Sequence, residues 1–253
     1  MEWLAAISPL SPVVSLGLIL LSGVTSMISA SLGVGGGTLL IMTMAQVMPA
    51  AALIPVHGMV QLGSNGGRLA MSWRHVHWPL LATFVPGALV GALVAGWLLI
   101  RLPSGVLELS IAAFVLYTLW GPGLPKRALG RLGTLIAGAV TTLLSSFVGA
   151  SGPMVAAFVK QTGNSRQGTV ATFAACMTFQ HLTKAFVFGV AGFLFADWLW
   201  LILLMIGVGV LGTWLGLRLL HHVSERRFDT GFRVVLTALS LRLVWLGMTR
   251  LLT

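Results

Sequence analysis

His57, Gln61, Asn65 and Arg68 interrupt one apolar stretch at i, i+4, i+8 and i+11, so they share one face of a helix, with Ser64 beside them. A second apolar stretch carries Gln180, His181 and Lys184, with Thr178 nearby. Amides, imidazoles and fixed cations in an apolar setting form a donor-rich set, suited to holding an anion. Acids to neutralise them are scarce. The chain has five carboxylates; Glu2 and Asp197 lie at segment ends, and Glu225 and Asp229 lie in a basic loop. Ionisable groups at membrane depth are costly and face a partner or a water-filled path. Two readings of Arg68 and Lys184 follow. Either an anionic substrate supplies the missing charge, or each side chain snorkels to the nearest headgroup layer. The two readings balance for Arg68, and Lys184 leans towards snorkelling. His181 and Asn65 lie deeper, where the competing role is a polar bridge between helices.

Two glycine-rich runs add backbone donors. In SLGVGGG, Ser31 to Gly37, successive glycines let the bare N–H groups of Gly35, Gly36 and Gly37 converge where a short helix begins, and Thr38 adds a hydroxyl. In VGASGP, Val148 to Pro153, Ser151 and Gly152 precede a proline suited to a first helical position. An isolated glycine in a membrane segment more often serves close helix packing. Here a short helix and then a polar stripe follow each run, and that combination favours an anion site.

The elements that must position these residues are membrane helices. With 57% hydrophobic and 8% charged residues over 253 positions, and a mean hydropathy of +0.98, a water-soluble fold could not hide the apolar surface. The net charge of +10 does not indicate nucleic acid, because the 15 basic residues are scattered between apolar runs. The single cysteine, Cys176, excludes an internal disulfide, and its apolar surroundings indicate a packed thiol. No metal cluster and no cofactor motif is evident. The first apolar segment has no basic flank and no signal-cleavage pattern, so it is expected to be retained.

Apolar segments fall near 13–31, 38–48, 51–72, 79–100, 106–120, 132–148, 153–163, 166–188, 197–218 and 231–250, five in each half. At an offset of 116 residues Gly33 falls on Gly149, Gly36 on Gly152, Asn65 on His181, Arg68 on Lys184, Gly91 on Gly207 and Gly96 on Gly212. An internal repeat explains this joint recurrence. The expected fold is an all-α membrane protein of two inverted-topology repeats, 1–120 and 132–253, joined by a cytoplasmic linker at 121–131. Each repeat contains a Gly-rich broken helix or re-entrant hairpin plus transmembrane helices. The 38–48 and 153–163 pieces are too short to span a hydrocarbon core of about 30 Å, and re-entrant hairpins are the favoured reading.

Loop charge sets the orientation. Arg74, His75 and His77, then Lys126, Arg127 and Arg131, then Lys160 and Arg166, then Arg218, Arg226, Arg227 and Arg233 share one side if each half crosses an odd number of times. The positive-inside rule places that side in the cytoplasm and both termini outside. Inverted repeats with paired broken helices bind substrate near the midplane between the halves.

The run GVGGG from Gly33, AMSWRHVHW from Ala70, PGALVGALVAG from Pro86 and the Arg101-Leu102-Pro103 turn resemble the first repeat of the TauE/SafE sulfite and organosulfonate exporter family. GASGP from Gly149, AFVFGVAGFLFADW from Ala185, and the stretch from Gly207 through LHHVSERR resemble the second. The second repeat departs in having Ala150, Ser151 and Pro153 where a full glycine triplet is usual, so the two breaks are not expected to grip an anion equally. The resemblance implies a multi-pass bacterial inner-membrane transporter, not an enzyme, that exports sulfite or an organosulfonate such as sulfoacetate. Membrane potential suffices as the driving force, and His57 or His181 is the candidate proton carrier if transport is coupled. Its partners would be the small anion and the bilayer, and a homo-oligomer is left open because Gly87, Gly91 and Gly96 pack helices within or between subunits. Alternatives are export of another small organic anion, a cation or metal transporter, for which His57 and His181 stand too far apart in sequence, and a non-transporting membrane protein.

Overall fold

In a computed structural model, residues 8–98, 103–122, 129–163, 165–219 and 225–252 are described. Glu2, Arg101, Leu102, linker residues Lys126 and Arg127, and the loop histidines His221 and His222 lie outside them. Every regular element among the described residues is helical: α1 Pro12–Leu32, α2 Gly36–Met44, α3 Ala50–Ser72, α4 Trp78–Trp97, α5 Ser104–Trp120, α6 Arg131–Val148, α7 Gly152–Lys160, α8 Arg166–Val190, α9 Leu199–Leu219 and α10 Glu225–Leu252. Local sequence explains several boundaries. Ser11 and Ser165 accept N–H bonds from Val14 and Gly168 at the starts of α1 and α8, and Pro12 opens α1. Five segments are long and apolar enough to cross a membrane: α1, α4, α6, the stretch Phe195–Leu219 that includes α9, and Asp229–Leu252 of α10. The chain is a multi-pass membrane protein. Helices α2 and α7 have nine residues each, about 13 Å, and cannot span the core.

The long helices pack in four pairs: α9 on α1, α6 on α4, α8 on α3 and α10 on α5. Each pair joins an element from the first half of the chain to one from the second, so the long helices of each half bury their faces chiefly against the other half. Glycine makes two of these seams close. A side chain at Gly87 or Gly91 would run into the carbonyl oxygens of Leu135 or Ala139, and one at Gly212 would meet the carbonyl of Gly23. Gly87 and Gly91 are therefore occupied within the chain, which settles at those positions whether the stripe packs inside or between subunits.

These contacts bear on the register of the repeat expected from the sequence in one region. Gly91 packs on Ala139 and Gly212 packs on Gly23; Gly23 and Ala139 are 116 residues apart, whereas Gly91 and Gly212 are 121 apart. Gly91 thus shares its kind of backbone contact with Gly212 and not with Gly207, the residue that the 116-residue offset pairs with it, and Gly207 has open space around its missing Cβ. The physical reason is a longer second connection: α3 reaches α4 through the short turn Trp73–His75, while α8 ends later and reaches α9 through Phe195–Trp198. The segment boundary near 231 also moves, because α10 starts at Glu225 and continues the helix through the basic loop.

The fifth carboxylate is a finding of the structure. Glu108 on α5 is buried at 2% exposure and pairs with Arg250 on α10, where Gly105 and Gly247 bring the two helices close. One carboxylate oxygen, Oε1, takes that pair, while Oε2 is buried without a hydrogen-bond partner.

Candidate functional site

The two glycine runs end two helices in the same way. Gly33 takes a left-handed φ of 88° and donates its N–H to the Ser29 carbonyl; Gly149, φ 75°, does the same to Ser145. Only glycine adopts such angles readily. Gly35, φ 110°, then caps α2, whereas its counterpart Ser151 has an ordinary backbone, φ −99°. The first break is thus the more contorted. The first N–H groups of α2 have no acceptor in the preceding turn, whereas α7 opens with Pro153 and its Met154 and Val155 N–H groups bond to the Ser151 carbonyl; both helix starts border one cavity.

Nine of the thirteen expected site residues line that cavity: Gly35, Gly37 and Thr38 at the first break, His57, Gln61 and Asn65 on α3, Ser151 and Gly152 at the second break, and His181 on α8. The rings of His57 and His181, distant in sequence, meet edge to face with centroids 6.0 Å apart. His57 Nε2 lies 3.0 Å from the Gly37 carbonyl, which can only accept, so that nitrogen carries a proton and holds α3 to the start of α2. The other ring nitrogen of each, Nδ1, has no hydrogen-bond partner. Asn65 donates to the backbone and side-chain oxygens of Gln61 at 2.8 and 3.1 Å, which leaves the Gln61 amide nitrogen beside Gly37.

Four expected residues stand outside the lining. A side chain at Gly36 would run into the Thr25 carbonyl and the Ser29 hydroxyl, so this glycine serves the packing of α2 on α1. Gln180 stands behind Ser151: the serine hydroxyl donates to Gln180 Oε1 at 2.6 Å, and Gln180 Nε2 donates to Thr141 at 2.8 Å. That chain orients Ser151 and uses its proton. Arg68 and Lys184 are completely enclosed, at 0% and 1% exposure. Neither snorkels, which overturns the leaning for Lys184: both side chains lie between packed helices, although the ends of α3 and α8 beyond them, at Met71, Trp73, Phe186 and Val190, are exposed. Among the described residues neither has an ion-pair partner. Arg68 reaches only Asn65 Oδ1, through Nη1 at 3.4 Å, leaving Nε and Nη2 unbonded; Lys184 Nζ has no hydrogen-bond partner.

Ser29, Val34, Ala150, Phe173 and Met177 also line the cavity and were not read from the sequence as site residues. The repeat offset was the available signal. At 116 residues Phe173 falls on His57 and Met177 on Gln61. The cavity consequently has a polar wall on α3, and on α8 the apolar Phe173 and Met177 beside His181. Among the described residues no group of three or more His, Cys, Asp or Glu side chains could hold a metal ion.

Compared with known proteins, residues 18–243 match the family described as sulfite exporter TauE/SafE. No curated protein and no solved structure matches the chain.

Proposed function

We propose, from the premise that the chain belongs to the sulfite exporter TauE/SafE family, that it carries sulfite or an organosulfonate such as sulfoacetate out of the cytoplasm through the cavity bordered by the two glycine breaks. Membership of a transporter family agrees with a non-enzymatic role. The observation that supports the reading most is the imbalance of charge: donors and buried cations surround the cavity, and among the described residues no acid neutralises them. A small oxyanion is the complementary ligand. The α3 wall, with Thr38 and Gly37, would take the charged oxygens, and Phe173 and Met177 would take a carbon substituent, which favours an organosulfonate over sulfite alone.

In this reading the halves 1–120 and 132–253 are inverted repeats joined by the 121–131 linker, with both termini outside the bacterial inner membrane and the basic loops in the cytoplasm. The reciprocal pairing of α1 with α9 and α4 with α6 supports the repeat. An inside-negative potential favours anion exit by about 2.3 kcal/mol per charge per 100 mV, so a uniport mechanism suffices. Thermal shift of the purified protein with sulfite, sulfate, thiosulfate, sulfoacetate, taurine and simple carboxylates tests the substrate class, because a ligand bound only by the folded state raises its stability. Stabilisation by sulfoacetate and sulfite, but not by simple carboxylates, is expected; an indifferent response to every anion contradicts the reading.

A further inference from the structure

Helices α3 and α8 run antiparallel along their shared seam: Gly58 faces Lys184, and further along α3 Gly66 faces Thr178. Residue numbers rise on one helix as they fall on the other. Lys184 therefore sits beside Gly58, at the His57 end of the α3 wall, and Arg68 sits ten residues further on, about 15 Å along the axis. The cavity lies between them, bordered by His57, Gln61 and Asn65 of α3 and by Met177 and His181 of α8. Each cation adjoins one end of it. Lys184 lies against Gly58, next to His57, and Arg68 touches Asn65.

A buried cation without a counter-charge is strongly unfavourable. Two of them, at matching repeat positions and at opposite ends of one cavity, call for a mobile anion that visits both. Their free groups differ. Arg68 leaves Nε and Nη2 unbonded, and these two nitrogens form the side edge of the guanidinium, the fork that takes two oxygens of one oxyanion. Lys184 offers a point charge with three rotatable donors.

We propose that Arg68 and Lys184 are two outer anion stations, one on each side of the central cavity, with Arg68 binding an oxyanion through two oxygens and Lys184 holding it as a single charge. The proposal rests on the transport reading above and adds an order of passage. With the basic loops in the cytoplasm, Arg68, near the α3 end that leads into Arg74 and His75, serves the cytoplasmic face, and Lys184 serves the external face. An anion leaving the cell meets Arg68, then the cavity, then Lys184.

The test is sulfite and sulfoacetate flux into and out of vesicles containing the purified, unidirectionally inserted protein, with half-saturating concentrations measured from each face. Arg68→Gln is expected to raise the half-saturating concentration tenfold or more from the cytoplasmic face and to leave the external value within twofold. Lys184→Gln should do the reverse. Should Arg68→Gln not fold, Arg68→Lys carries the test: it keeps the charge, loses the fork, and should still weaken the cytoplasmic face several-fold, whereas Lys184→Arg should leave the external face near wild type. Thr38→Val, in the central cavity, should weaken both faces. If Thr38→Val acts on both faces while the Arg68 and Lys184 variants show no sidedness, the stations are wrong and the central site stands. If wild-type protein gives no saturable flux at all, the transport reading fails and the stations fail with it.

Discussion

His57 and Gln61 on α3, and Phe173 and Met177 on α8, lie 116 residues apart in sequence and line the same cavity, yet one pair presents polar nitrogen and oxygen and the other presents carbon and sulfur. The glycine breaks differ in the same sense. The first has left-handed angles at Gly33 and Gly35, while the second has one at Gly149 and a serine whose proton is engaged by Gln180. Two similar frames can thus hold different chemistry: the frame needs glycine only where the chain turns or backbones touch, and the cavity-facing positions are free to diverge. A pair of unequal walls suits a ligand with a charged end and an apolar end better than a symmetric inorganic anion.

The largest effect should come from the frame. Gly212→Val would force a β-branched side chain into the Gly23 carbonyl and split α9 from α1, so the variant should fail to accumulate as folded protein in a detergent-stability assay. Gly207→Val should be near neutral, since nothing lies within reach of its Cβ. Equal damage at both would break the five-residue register shift between the halves. Gly36→Val should also misfold, against the Thr25 carbonyl, which removes it as a probe of anion binding.

The next effect compares the two breaks. A methyl group at Gly37 would press on the Gln61 amide, whereas one at Gly152 would meet only the tip of Phe173 at an ordinary 3.7 Å. Gly37→Ala should lower sulfite affinity about tenfold, the scale of one charge-assisted hydrogen bond at about 1.5–3 kcal/mol. Gly152→Ala should stay within about twofold on that same scale. Isothermal binding measurements separate these outcomes, and equal losses would make the breaks equivalent.

Much of this site was legible in the sequence, and the parts that were not have specific causes. The polar stripe on α3 and the glycine runs could be placed because helical spacing and the scarcity of acids are properties of the chain itself. Gly36 was assigned to anion binding because spacing does not say which face of a glycine meets a backbone; only the closeness of Thr25 decides that. Arg68 and Lys184 lie within about a turn of their helix ends, and whether such a side chain reaches lipid depends on what packs around it, a tertiary fact. Phe173 and Met177 read as ordinary apolar core until their partners across the cavity are known. Glu108 was passed over for a similar reason, as a single acid in an apolar run whose partner lies 142 residues away.

A smaller effect tests the apolar wall. Replacing Met177 with Gln, and Phe173 with His, would make α8 resemble α3. Preference for a longer-chain sulfonate over sulfite should fall about tenfold, the range that one or two buried methylenes supply. Competition assays between the two anions check it, and an unchanged ratio would show that the wall does not contact the substrate. Smaller still is Glu108→Gln, which removes the pair with partly exposed Arg250. About 1 kcal/mol or less of stability should be lost, visible as a small drop in Tm with transport intact.

The most direct measurement is electrogenic flux through the purified protein in vesicles under an imposed membrane potential, with sulfoacetate and sulfite as probes. The account expects saturable movement of the anion, accelerated outward by an inside-negative potential and strongly reduced in Thr38→Val protein that still folds. Absence of flux by wild-type protein, or flux indifferent both to the potential and to Thr38, would contradict it.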